Sequence, residues 1–267
     1  MTAPPRIHLS PLLSIPFATI VYALSGAVVG VSAFPSAVAV IRAASLLAAP
    51  LSPGRLLLFC VLTGGALYLF FLCGLLLTGL LMRALSPAVR PGRHPLFSAA
   101  GVFWMAMNGV QAIAVRLFLP AVPGGYLPSL YYRLAGCRIG RDVWIVGATI
   151  LDPHLVTIGD GTIVGGEAVI SPHIAGGADL TFGPIRIGRD CRIGAHSVIC
   201  AGSVVGDGAT VGIRAFLRKG SRVAPGAVAA AVGGLAPRDV VELEAGRGGR
   251  AGARGAPRPR RQTRLTP

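Results

Sequence analysis

From Ile187 an aliphatic residue returns at every sixth position, through Ile193, Ile199, Val205, Val211 and Leu217 to Val223. Four places after each stands a small one: Cys191, Ser197, Ser203, Ala209, Ala215, Ser221 and Ala227. A helix repeats about every 3.6 residues and a half-buried strand about every 2, so a sustained six excludes both as the organising element. It predicts a coil of short flat faces, each hexapeptide one side of a triangular prism. The aliphatic side chain points to the axis and the small residue fits beside the turn. Gly188, Gly194, Gly206 and Gly212 are expected to supply tight corners.

The pattern extends upstream. Ile139, Ile145 and Leu151 keep the period, one extra residue around Pro153 shifts it, and Ile158, Val164 and Ile170 resume it. Ile170 and Ile187 lie 17 residues apart, one short of a three-face turn. The interval SPHIAGGADLTFGPIR is therefore expected to leave the coil as a loop, and loops on a rigid repeat scaffold are where function concentrates.

These residues resemble the hexapeptide-repeat acyltransferases, whose fold is a left-handed parallel β-helix; the resemblance spans roughly 137–235. LDPHLVTIGDGTIVGGEAVISPHI followed by GPIRIGRDCRIGAHSVI is similar to the membrane-linked branch. That branch includes the carboxy-terminal domains of polylysine-synthetase-type peptide synthetases. Its shared pattern is Asp-Pro-x-Leu-Val-x-Ile-Gly-Asp, then a histidine-containing loop, then a Gly-Pro-Val/Ile-x-Ile-Gly coil. The resemblance implies an acyl thioester co-substrate, either acyl-CoA or a carrier-protein thioester, with no permanently bound cofactor. It also implies a homotrimer with sites between neighbouring prisms. The family's closing Ala-Gly-x-Pro-Ala is replaced here by AAAVGGLAPRDV, which puts the donor's identity in question.

The preceding third of the chain is of another kind. Overall 53% of residues are apolar and the mean hydropathy is +0.68, too hydrophobic for an ordinary soluble enzyme. Leu56 to Met82 is uncharged for 27 residues between Arg55 and Arg83. At about 1.5 Å per residue it exceeds the roughly 30 Å hydrocarbon core. Leu9 to Ile41 is also uncharged and contains a span from about Pro11 to Phe34; it is too long for a signal peptide, and only Arg6 precedes it. A third stretch, Leu96 to Val115, carries Asn108 and Gln111 and reads either as a span or as a helix lying in the interface. Two spans put Arg83, Arg90, Arg93 and the coil on one side. The positive-inside rule then places the coil in the cytoplasm of a bacterial-type inner membrane. The expected organisation is 1–94 membrane helices, 95–136 a juxtamembrane or interfacial segment, 137–235 β-helix, and 236–267 a basic low-complexity tail.

The formal charge of +15 owes much to seven arginines after Ala245. That tail is rich in Gly, Ala and Pro without interleaved aromatics, so it reads as disordered and attracted to anionic lipid rather than as a specific nucleic-acid binder. The five cysteines form no Cys-x-x-Cys pair, and no metal site is expected.

Thioester-to-acceptor acyl transfer needs a base for the acceptor's proton, and imidazole titrates in the right range. His173, at the mouth of the excursion and 14 residues before the Ile-Gly coil, matches the family's loop histidine and is the expected base. Asp152, before Pro153, is expected to orient a histidine or the acceptor, with a turn-forming role as its alternative. His154 is a candidate substrate contact or corner cap. His196 and Glu167 are expected to point outward. Arg214, Arg218, Lys219 and Arg222 form the candidate site for coenzyme A phosphates. The function read from these residues is a membrane-anchored acyltransferase acting on a hydroxyl or amine. The alternatives are an amide-forming partner of a peptide synthetase and a noncatalytic trimeric membrane scaffold.

Overall fold

The computed structural model describes residues 11–48, 52–122, 124–231 and 240–243. The basic tail and most of AAAVGGLAPRDV lie outside them.

Two long helices come first, α1 (Pro11–Ala44) and α2 (Pro53–Leu85), packed on each other as an antiparallel pair. Their 34 and 33 residues make each about 50 Å long, more than the hydrocarbon core requires. Both exceed the expected spans of 11–34 and 56–82. Ser52 starts α2 with its hydroxyl accepting from the Arg55 amide. The side of α2 turned to the rest of the chain mixes Leu75 and Met82 with small residues that permit close approach. A Cβ on Gly74 would stand 2.3 Å from the Phe118 ring, and one on Gly79 would stand 2.8 Å from Leu134.

Two further helices follow, α3 (Ala99–Ile113) and α4 (Tyr126–Leu134). Residues 99–121 form the third stretch long and apolar enough to cross a membrane, after 23–47 and 53–88. The polar side of α3 is nevertheless committed to the coil: Gln111 donates to the Ile150 carbonyl at 2.5 Å.

From Arg138 the chain winds into three sheets of two- to four-residue strands, parallel except where Val240–Leu243 adds antiparallel to Val228–Ala231 at the end of one, an arrangement consistent with a left-handed β-helix. Each sheet is one face of the prism. Ile139, Ile158, Ile187, Val205 and Val223 pair in one ladder. Ile145, Val164, Ile193, Val211 and Ala229 pair in the second. Ile150, Ile170, Ile199 and Leu217 pair in the third. All but Ile139 are buried, each buried Ile, Val or Leu contributing about 1.5–3 kcal/mol relative to exposure.

Two expectations are corrected. Leu151 is not the inward residue of the first coil; Ile150 is, fully buried, so the face after Ile145 is five residues long and the next inward residue is Ile158. The surplus is taken up by Asp152, left-handed at φ +41°, and the short turn Pro153–Leu155. Gly188, Gly194 and Gly206 do not supply left-handed corners. A Cβ on any of them would meet the next coil's backbone at 2.5–2.7 Å, so they serve close coil-to-coil approach. Left-handed corners fall instead at residues such as Asp190, Gly208 and His196.

The end of the prism nearest the helices would expose unpaired strand groups, a surface that must be covered. Buried side chains cover it. Ser129 donates to the Val143 carbonyl at 2.9 Å, and Arg133 reaches the Gly140 carbonyl. Tyr132 donates to the Ala148 carbonyl at 2.9 Å and accepts from the Ile150 amide at 3.2 Å. The excursion is not an irregular loop. His173–Gly176 and Asp179–Phe182 form a hairpin whose second strand pairs antiparallel with Gly92–Pro95, just ahead of α3.

Candidate active site

Thr149–Ile150 lies in parallel register beside Val169–Ser171, with the Leu151 amide donating to the Ile170 carbonyl at 2.9 Å. Asp152 and His173 therefore leave adjacent rungs at the same edge of the prism. Adjacent rungs are about 4.8 Å apart, within side-chain reach. The left-handed turn at Asp152 directs its carboxylate inward, leaving the residue 1% exposed. His173 Nδ1 stands 2.5 Å from Asp152 Oδ2. A carboxylate only accepts, so Nδ1 carries the hydrogen and the Nε2 lone pair is left to take a proton. The His173 side chain is 15% exposed.

Two aromatic rings pack on His173. The Trp104 indole from α3 meets the His173 ring edge to face at 5.0 Å between centroids, and Phe182 stands at 6.4 Å. His94 packs on Phe182 at 5.8 Å. Arg93 and Asp179 join the strands of the small sheet at 2.5 Å, and the Leu96 amide donates to the Ala178 carbonyl at 2.8 Å. The start of α3 is fixed to this sheet. Ser98 caps it by accepting from the Gly101 amide, and a Cβ on Gly101 would stand 1.9 Å from the Leu96 carbonyl oxygen.

His154 lies beyond Asp152 in the joint between coil and helices. Its Nε2 is 2.9 Å from the Val89 carbonyl oxygen, and its Cβ lies 3.1 Å from the place a Cβ would take on Gly136. Burial pushes its pKa below the ordinary value, opposed by the Val89 carbonyl and by Asp152.

The four basic candidates separate. Arg218 and Lys219 occupy the same prism edge as the Asp152–His173 pair, two rungs further on. The Gly202 amide bonds the Gly183 carbonyl there and the Gly220 amide bonds the Ala201 carbonyl. The separation along the edge is about 10 Å. Arg222 begins the next strand on the adjoining face. Arg214 sits at a different edge, at φ +57°, in a column with Glu167 and His196, all three exposed. Among the described residues no three His, Cys, Asp or Glu side chains gather as a metal site would need.

The chain is 28% identical over 117 residues to the delta-poly-L-ornithine synthetase of Acinetobacter baumannii, a match covering 44% of this chain and 9% of that protein. It is 29% identical over 114 residues to the galactoside O-acetyltransferase of Escherichia coli, covering 39% and 55%. The coil domain is similar in sequence to acyltransferases of the hexapeptide-repeat type. No family model matches the chain. A solved galactoside acetyltransferase in complex with coenzyme A aligns at 28% identity with a TM-score of 0.32, covering 36% of this chain and 52% of that one. The chain thus spans a small part of the synthetase and about half of the galactoside enzyme.

Sequence reasoning named Asp152 and His173 but missed Trp104, Phe182 and the Arg93–Asp179 pair. The signal for Trp104 was present: Trp104, Met107 and Gln111 recur at helical spacing on the side of α3 facing the coil. The Gly92–Pro95 pairing had no local signal.

Proposed function

We propose that the protein is a membrane-anchored acyltransferase in which His173, oriented by Asp152, removes the proton of an acceptor hydroxyl or amine. The observation that carries this reading is the 2.5 Å contact between His173 Nδ1 and the buried Asp152 carboxylate, which leaves Nε2 as the basic atom. As the acceptor's oxygen or nitrogen bonds to the thioester carbonyl carbon, its proton passes to Nε2. The tetrahedral intermediate then expels the thiolate, which takes that proton back. Acyl-CoA suits the edge. Its thioester would stand at His173, its pantetheine would run past Ala201 and Gly202, and its phosphates would reach Arg218, Lys219 and Arg222. His154 supports the Asp152 turn rather than touching substrate.

Anchoring rests on α1 and α2 as spans, with α3 in the interface. Gln111 ties α3 to the first coil, whose Arg138, Arg141 and Asp142 are exposed and cannot enter hydrocarbon. The coil then lies beside Arg83 and Arg90, on the cytoplasmic side of a bacterial-type inner membrane. A homotrimer is supported by the second face, where Trp144 and Ile163 are paired and 55% and 48% exposed.

Calorimetry of acetyl-CoA with the detergent-solubilised protein tests the reading. Binding that survives His173→Ala and weakens at least about tenfold with Arg218→Ala plus Lys219→Ala is expected. No binding by the wild type at millimolar acetyl-CoA would reject acyl-CoA as donor.

A further inference from the structure

Beside the Asp152–His173 pair stands a polar group that the acyltransferase chemistry above does not use. The indole Nε1 of Trp104 is buried and has no hydrogen-bond partner among the described residues, although its ring packs on His173 at 5.0 Å. A buried N–H without a partner is costly unless something that binds there satisfies it. The indole only donates, so its partner must offer a lone pair.

Helix α3, which carries Trp104, is not an ordinary wall. Its opposite side and the turn before it expose Phe97, Val102 and Phe103 at 57%, 52% and 42%. These follow the α1–α2 pair, itself covered with exposed leucines such as Leu57, Leu67 and Leu76. Trp104 therefore sits where an apolar, outward-facing helix meets the candidate base. A water-soluble acceptor would gain nothing from such a border, whereas an amphiphile lying against α3 would bring its head to His173 with its chain still among apolar side chains.

We infer that the acceptor is a hydroxyl-bearing amphiphile taken from the bilayer surface, and that Trp104 Nε1 donates to its hydroxyl oxygen. The inference rests on the acyltransferase reading and selects between its two acceptor classes. A hydroxyl oxygen has two lone pairs: one accepts from Trp104, the other attacks the thioester carbonyl, and the hydroxyl proton leaves to His173 Nε2. A neutral amine has one lone pair, so donation from the indole would block its attack.

The chain contains two tryptophans, Trp104 and Trp144, so Trp144→Phe leaves Trp104 as a sole reporter. In nanodiscs containing 2-bromo-1-decanol, the fluorescence of this variant is expected to be at least halved relative to nanodiscs containing 1-decanol, because bromine quenches indole on contact and carbon 2 lies beside the hydroxyl. Acetyl transfer from acetyl-CoA is then compared for 1-decanol, decylamine and 1-butanol. Decanol is expected to exceed both at least about tenfold in kcat/KM, and Trp104→Phe, which keeps a ring but not the N–H, to lower the decanol value about tenfold with acetyl-CoA binding unchanged. Absence of quenching, preference for decylamine or butanol, or full decanol activity in Trp104→Phe would each overturn the inference. Failure of acetyl-CoA to bind the wild type would overturn the acyltransferase reading instead, and calorimetry separates the two.

Discussion

At the scale of single residues, the site depends on a conformation that few side chains adopt. Asp152 is left-handed and buried, and its carboxylate is the partner of His173. Asp152→Asn keeps the shape but offers an amide that can donate to Nδ1, so the ring loses the tautomer that frees Nε2. Loss of about 10²–10⁴-fold in transfer rate is expected for His173→Ala, with a comparable or smaller loss for Asp152→Asn, checked by following thiol release from acetyl-CoA. His154 leads to a pH prediction. Burial lowers its folded pKa below the ordinary value, so the unfolded chain binds more protons as pH falls. Its contribution is full above about 6.5 and is lost as pH falls through the folded value. Thermal unfolding followed by circular dichroism should show a lower Tm at pH 5.5 than at pH 7.5, and a smaller drop for His154→Gln. Asp152 and His173 were legible in the sequence through the resemblance. That Asp152 meets His173 in particular was not, because Ile150 and Leu151 are both aliphatic and only the turn at Asp152 decides which one faces the axis.

At the scale of elements, the hexapeptide coil was legible because each face is specified by six consecutive residues. What joins the coil to the helices was not. Gln111 reads in sequence as a blemish in an apolar helix, yet it bonds the carbonyl of Ile150, whose amide is held by Tyr132. The small sheet joins Gly92–Pro95 to residues 179–182 across a long sequence separation, with no periodic signal to announce it. Tyr132→Phe leaves the Ala148 carbonyl and the Ile150 amide without their side-chain partner, so it should cost about 1–3 kcal/mol. Urea unfolding would show this as a lower midpoint with an unchanged slope.

At the scale of the whole molecule, the chain joins a hydrophobic helical pair to a rigid prism and sets the candidate site at their junction. Trimerisation through the Trp144–Ile163 face predicts a trimer mass by light scattering in detergent, and dissociation by Ile163→Arg, which puts a second charge beside Arg192 in place of an exposed apolar group. The long apolar helices and the repeat were each plain in the sequence, the first from composition and the second from its period of six. Their arrangement was not, because α3 is apolar enough to span yet is held to the coil by contacts such as the Gln111–Ile150 hydrogen bond and the packing of Trp104 on His173 and Phe182. The central claim is that an Asp152-oriented His173 carries out acyl transfer. The most direct measurement is single-turnover release of coenzyme A from acetyl-CoA by the purified protein in nanodiscs with 1-decanol, comparing the wild type with His173→Ala. The account predicts release with formation of decyl acetate in the wild type, and loss of at least about 10²-fold in the variant. Equal release by both proteins, or none from a wild type shown to bind acetyl-CoA, would contradict it.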